Sequence, residues 1–218
     1  MKRITLFCGH YGSGKTNIAV NYALHRRSEG EKVTVADLDI VNPYFRTKDS
    51  RAEFEAAGIR LICSEYANTN VDIPALPSDL YAITSDKSAA VVLDVGGDDR
   101  GALALGRLTP EILAENDYEM LLVINRYRPL TPDVASTLEV MREIESACGI
   151  RFTGLVNNSN LGEETTAEDV LASLPYGEAV SAATGLPVVM TTARASLIPA
   201  LEGRVENLVP LTLQKKIL

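Results

Sequence analysis

Apolar residues in this 218-residue chain gather into short unbroken runs, and the stretches between them place apolar positions at helical spacing. Ile4, Leu6, Phe7 and Cys8 form the first run and Val33-Thr34-Val35-Ala36 the second. Ala89 to Leu93, Met120 to Ile124, Phe152 to Val156 and Pro187 to Met190 follow, ending at Asp94, Asn125, Asn157 and Thr191. Ile18, Ala19, Tyr22 and Ala23 recur at helical spacing before a stop at Gly30. Val134, Leu138, Met141 and Ile144 trace a second helix, with Thr131 as its expected cap, Pro132 as its first residue and Gly149 near its end. Unbroken apolar runs suit strands covered on both faces. The pattern therefore predicts a three-layer α/β fold, a mostly parallel sheet flanked by helices, with ligands at the carboxyl ends of the strands.

At one such end the chain carries chemistry. Gly9-His10-Tyr11-Gly12-Ser13-Gly14-Lys15-Thr16 matches the phosphate-binding loop pattern G-x-x-x-x-G-K-[ST] at every fixed position, and it joins the first strand to the first helix. Its glycines let backbone N–H groups approach phosphate oxygens, and the helix that follows offers unpaired N–H groups and the positive end of its dipole. Lys15 would neutralise the outer phosphates and Thr16 would ligate Mg2+. Asp37 and Asp39, two residues apart after the second strand, leave from one face if the strand persists, so both could meet one Mg2+ shell. Asp94, followed by Val95, Gly96 and Gly97, has the form of a metal-binding acid leading into a flexible loop, with Asp98, Asp99 and Arg100 as second-rank candidates.

Composition narrows the partners. Hydrophobic residues make up 46% of the chain, and Gly and Pro are scattered singly, so one nucleotide-binding domain over 1–218 is expected. A net charge of -8 opposes nonspecific attraction to nucleic acid or anionic lipid. No apolar stretch approaches the ~20 residues of a membrane span, and the reading is a soluble, cytoplasmic protein. Cys8, Cys63 and Cys148 show no paired spacing and read as core thiols, a Cys8–His10 chelate being the minor alternative.

With the phosphate loop, the D-x-D of Asp37 to Asp39 and the D-x-G-G of Asp94 to Gly97 in this order, the chain resembles the MinD/ParA/nitrogenase-iron-protein class of P-loop ATPases over nearly its whole length. The resemblance implies that Gly12, Ser13, Gly14, Lys15 and Thr16 cradle phosphate, and that Asp39 organises the hydrolytic water beside the catalytic Lys15. It makes Thr16, Asp37, Asp39 and Asp94 the Mg2+ set and Asn157 the base contact. An N-K-x-D stretch is absent, so ATP is expected over GTP. Dimerising members carry a signature lysine where this chain has His10. Arg46 is the first candidate to replace that charge, and Arg100 the second. The expected function is a slow Mg2+-dependent ATPase switch, with a nucleotide-dependent homodimer and an unidentified protein partner. The alternatives are an ATP-dependent ligase resembling dethiobiotin or cobyrinate amide synthetases, for which Arg46, Lys48 and Arg100 are the nearby cations, and a nucleotide-binding scaffold without hydrolysis.

Overall fold

The computed structural model describes residues 1–38, 50–63, 78–96 and 99–213, with the backbone alone at 78, 99 and 100. Asp39, Arg46, Lys48, Gly97 and Asp98 lie outside the described residues, as does the side chain of Arg100.

Among the described residues eight strands form one sheet: β1 (Ile4–Cys8), β2 (Val33–Leu38), β3 (Arg60–Cys63), β4 (Ala90–Val95), β5 (Tyr118–Ile124), β6 (Gly154–Asn157), β7 (Val188–Arg194) and β8 (Leu208–Leu211). Their order across the sheet is β3-β2-β4-β1-β5-β6-β7-β8, and every neighbouring pair is parallel. The helices among the described residues are α1 (Lys15–Ser28), α2 (Arg51–Ala57), α3 (Ala82–Ser85), α4 (Asp99–Gly106), α5 (Thr109–Glu115), α6 (Val134–Cys148), α7 (Ala167–Thr184) and α8 (Ile198–Leu201).

The unbroken apolar runs are explained by burial from both sides. Phe7, Val35, Val92 and Val123 pack with Ile18, Ala19 and Ala23 of α1 on one face. Leu6, Ala36, Leu93 and Leu122 point the other way, against Leu105 of α4, Ile144 of α6 and Val180 of α7. Alternation of side chains along each strand thus feeds two cores from one sheet. The chain passes from β1 through α1 to β2 on one side of the sheet, while β4 leads through α4 and α5 to β5 on the other side of β1. This reversal of strand order opens a crevice beyond the carboxyl end of β1.

Two strands were not anticipated from the pattern. β3 is a half-exposed edge strand, and β8 contains Pro210, so neither presents a long apolar run. The expected start of α6 is corrected as well. Asp133 is the cap, its Oδ1 accepting from Ser136 N at 2.9 Å, and the helix begins at Val134. Thr131 is instead buried in the preceding loop, where its Oγ1 donates to Asn125 O at 2.8 Å. The cysteine expectation holds in part: Cys8 and Cys148 are buried, whereas Cys63 is half-buried with its Sγ accepting from Arg51 at 3.2 Å.

The amino end of the sheet is braced by Arg3. Its guanidinium donates to both carboxylate oxygens of Glu115, and also to the carbonyls of Ile83 at 3.1 Å, Asp86 at 3.3 Å and Ala89 at 3.1 Å. Both side chains are about nine-tenths buried, at 10% and 11% exposure. Hydrogen bonding from Arg3, reinforced by Lys87, holds the Glu115 carboxyl below its ordinary pKa. A carboxylate depressed in this way stabilises the fold at pH above its unfolded value, and the contribution disappears as pH falls through the folded value. Glu115→Gln should therefore lower the unfolding free energy at pH 7 by about 3 kcal/mol, the scale of breaking a buried pair from one side. In urea unfolding the gap to the parent protein should close as pH drops below the usual carboxylate range; a gap independent of pH would refute the assignment.

Candidate functional site

The phosphate loop spans the gap between the carboxyl end of β1 and the first turn of α1. Gly14 sits before the helix with φ 93° and ψ 18°, and among the described residues no side chain caps the first N–H groups. Those groups and the dipole end are therefore presented toward the loop, while His25, Arg26 and Arg27 occupy the opposite, negative end of α1. A Cβ on Gly14 would stand 2.2 Å from Asn158 Nδ2, and one on Gly9 would stand 2.5 Å from Val123 O, so the loop lies directly against the exits of β5 and β6.

Asn158 is the clamp. Its Nδ2 donates to Ser13 O at 2.6 Å, and its Oδ1 accepts from Thr192 Oγ1 of β7 at 2.6 Å. The loop is thereby referenced to two strands on the far side of β5. Sequence reasoning stopped one residue short, at Asn157, because the contact joins residues far apart in the chain.

Lys15 is 4% exposed, and its Nζ donates to His10 O at 3.2 Å across the loop. Thr16 is buried beside it in the first turn of α1. Asp37 and Asp94 are register partners across β2 and β4, and Asp94 is in turn the partner of Phe7 on β1. Phe7, Val35 and Val92 belong to the core under α1, so both carboxylates emerge on the α1 face at the same level of the sheet. Both are buried, Asp94 completely. The structure thus brings Lys15, Thr16, Asp37 and Asp94 to one corner. Burial pushes the Cys8 thiol well above its ordinary pKa, with Cys148 adding to the effect and Lys15 opposing it, so Cys8 is a neutral core thiol. The His10 Nδ1 lies 3.1 Å from Tyr11 O, within the loop itself.

Asn157 stands at the end of β6, 1% exposed. Its Nδ2 donates to Ser173 Oγ at 3.0 Å, and its Oδ1 accepts from Ser159 N at 3.2 Å. A contact with a base through Nδ2 would require exchange of its bonds to Ser173. On the other side of the crevice the loop after β4 is tight: a Cβ on Gly101 of α4 would stand 2.7 Å from the Gly96 Cα. The backbones of the Asp94 loop and of α4 therefore touch with no side chain between them.

No protein-family model and no curated protein sequence matches the chain. Solved structures do match in fold. The cell division protein FtsY of Thermotoga maritima is 18% identical, with a TM-score of 0.59 over 87% of this chain and 61% of that one. Chloroplast FtsY of Physcomitrella patens is 18% identical, with a TM-score of 0.59 over 88% and 58%. The signal recognition particle receptor FtsY of Elizabethkingia anophelis, in complex with GDP, is 17% identical, with a TM-score of 0.54 over 88% and 57%. This chain spans about three fifths of the length of these proteins. The similarity does not single out the MinD/ParA family that the sequence motifs resemble. Among the described residues no helix is long and apolar enough to cross a membrane. At this identity the likeness shows the fold, an eight-stranded parallel sheet flanked by helices of the α/β P-loop NTPase kind.

The Asn158 clamp makes a thermodynamic prediction. Asn158→Ala should cost about 1–3 kcal/mol by leaving Ser13 O and Thr192 without their partner. Gly14→Ala should cost about 1–3 kcal/mol from the left-handed backbone alone, with the collision against the amide added. Because removal of the amide makes room for the new methyl group, the double variant should lose less than the sum of the singles in a urea-unfolding cycle. Strict additivity would show that the two sites do not press on each other.

Proposed function

We propose that this chain is a slow Mg2+-dependent P-loop ATPase that acts as a nucleotide-driven switch. One observation carries the reading: the Lys15 ammonium is buried inside the loop and has no carboxylate within ion-pair distance among the described residues. A buried cation is costly unless an anion meets it, and the N–H groups opening α1 converge on the same place. A phosphate chain satisfies both.

Mg2+ prefers hard oxygen donors, takes one or two carboxylates and completes its shell with water and phosphate oxygens. Thr16, Asp37 and Asp94 are such donors, and they share one corner of the α1 face. Bound there, the ion would neutralise charge on the outer phosphates. Lys15 holds the same oxygens, and Asp39, by the MinD/ParA resemblance, orients the attacking water.

ATP is the nucleotide this reading favours. Guanine presents two donors on its pairing edge and is read best by a carboxylate, as in an N-K-x-D stretch, which this sequence does not contain. Asn157 at the end of β6 is the base contact that the MinD/ParA resemblance offers, and it would have to give up its bond to Ser173 to read adenine. The E. anophelis receptor was solved with GDP, so GTP is the competitor to test directly. Asp94 and Gly96 connect the phosphate corner to α4, and a change there on hydrolysis would move a surface that a second copy or another protein could read.

Fluorescent ATP should bind in the presence of Mg2+ more tightly than fluorescent GTP, and Lys15→Ala should weaken binding roughly a hundredfold, as expected for charge-assisted contacts worth about 2–3 kcal/mol. Phosphate release should be slow and abolished by EDTA. Light scattering with a nonhydrolysable ATP analogue should report a dimer. Preference for GTP would overturn the base assignment, and turnover that requires an added carboxylate metabolite would replace the switch with a ligase.

A further inference from the structure

We propose that Arg128 supplies the positive charge that the phosphate loop lacks at position 10, its guanidinium binding outer phosphate oxygens of the nucleoside triphosphate. The inference rests on the reading of residues 9–16 as a phosphate site and names a residue that neither the motif nor the resemblance assigns.

Strand order brings Arg128 to the loop. β5 is the direct neighbour of β1, with Leu122 opposite Cys8, so the segment that leaves β5 runs beside the segment that leaves β1. The Arg128 Nε, Cδ and Cζ lie 3.6, 3.7 and 4.0 Å from the point where a Cβ on Gly12 would stand. Gly12 itself is exposed, with φ 77°, so the guanidinium rests against bare loop backbone.

The backbone beneath Arg128 is rigidly held. Arg128 N donates to Asn125 O at 3.1 Å, Thr131 N donates to Arg128 O at 3.1 Å, and Tyr127 N donates to Asn125 Oδ1 at 3.0 Å. Tyr176 OH reaches in from α7 to donate to Thr131 O at 3.1 Å. Burial pushes that hydroxyl up to about 12, so it remains a donor throughout the neutral range. A loop fixed at so many points presents its side chain at small entropic cost.

The side chain, by contrast, is unspent. Arg128 Nε is buried without a hydrogen-bond partner, and no carboxylate pairs with the guanidinium among the described residues. Its neighbour Arg126 turns to α7 instead, donating to Ala172 O at 2.7 Å and lying over the Tyr127 ring. A planar guanidinium with free donors, held against a phosphate-binding backbone, matches the bidentate geometry of phosphate recognition.

The alternative role is a buttress that merely supports Gly12, and the two roles differ in what they discriminate. The full chain and its Arg128→Gln, Arg128→Lys and Lys15→Ala variants would be titrated with fluescent-labelled ATP and ADP in Mg2+, alongside nucleotide-free thermal unfolding. Arg128→Gln should weaken ATP by about tenfold or more, as expected for lost charged hydrogen bonds, while weakening ADP less. Arg128→Lys should recover part of that loss, and the nucleotide-free midpoint should not move. An unchanged ratio of ATP to ADP affinity, or a fall in the nucleotide-free midpoint that accounts for the weaker binding, would overturn the proposal. Wild-type ATP binding by Lys15→Ala would instead remove the phosphate-site reading on which it rests.

Discussion

The loop backbone at Gly14 passes so close to the Asn158 amide that no side-chain carbon fits between them, and the rest of the site is arranged around that approach. It allows Asn158 to hold Ser13 O with one end of its amide and Thr192 with the other. The opening turn of α1 is thereby indexed to β6 and β7, and Gly9 against the Val123 carbonyl adds β5. Three strand ends, with β1 that carries the loop, thus agree on where the N–H groups of α1 point. Precision of this kind comes from rigid elements, and a flexible turn could not supply it.

The same sheet separates the chemistry from the brace that supports it. At the carboxyl end of β1 lie the uncapped helix start, Lys15, Thr16 and the two aligned aspartates. At the amino end Arg3 collects three carbonyls and the Glu115 carboxylate. One end keeps its polar groups available, and the other satisfies them within the chain. Both faces between are apolar, so movement of the loops at one end can occur over a core that does not rearrange.

Much of this was legible in the amino-acid order, for reasons that also explain what was not. β1, β2, β4 and β5 are buried on both faces and write themselves as unbroken apolar runs. β3 and β8 lie at the edges, where exposure and Pro210 dilute that signal. The phosphate loop is a local motif and therefore visible. The alignment of Asp37 with Asp94 depends on β2 lying beside β4, and the approach of Arg128 to Gly12 depends on β5 lying beside β1. Neither adjacency is encoded within a short window. Thr131 and Asp133 illustrate a local competition: both can cap, and the buried bond from Thr131 to Asn125 O left the helix start to Asp133.

Pro210 has a consequence for how copies of this molecule can meet. In β8 the ladder to β7 runs through residues of alternate parity, beginning with Thr191 N donating to Asn207 O at 2.9 Å, so Pro210 turns its nitrogen to the outer side. Among the described residues that side is the outer margin of the sheet, and the missing N–H leaves a gap in the row of donors that an incoming strand would need. The margin resists strand-by-strand accretion of the kind that leads to fibres or precipitates. Residue 212 lies folded back on α1, its N donating to Asn21 Oδ1 at 2.9 Å, which adds cover to the same flank.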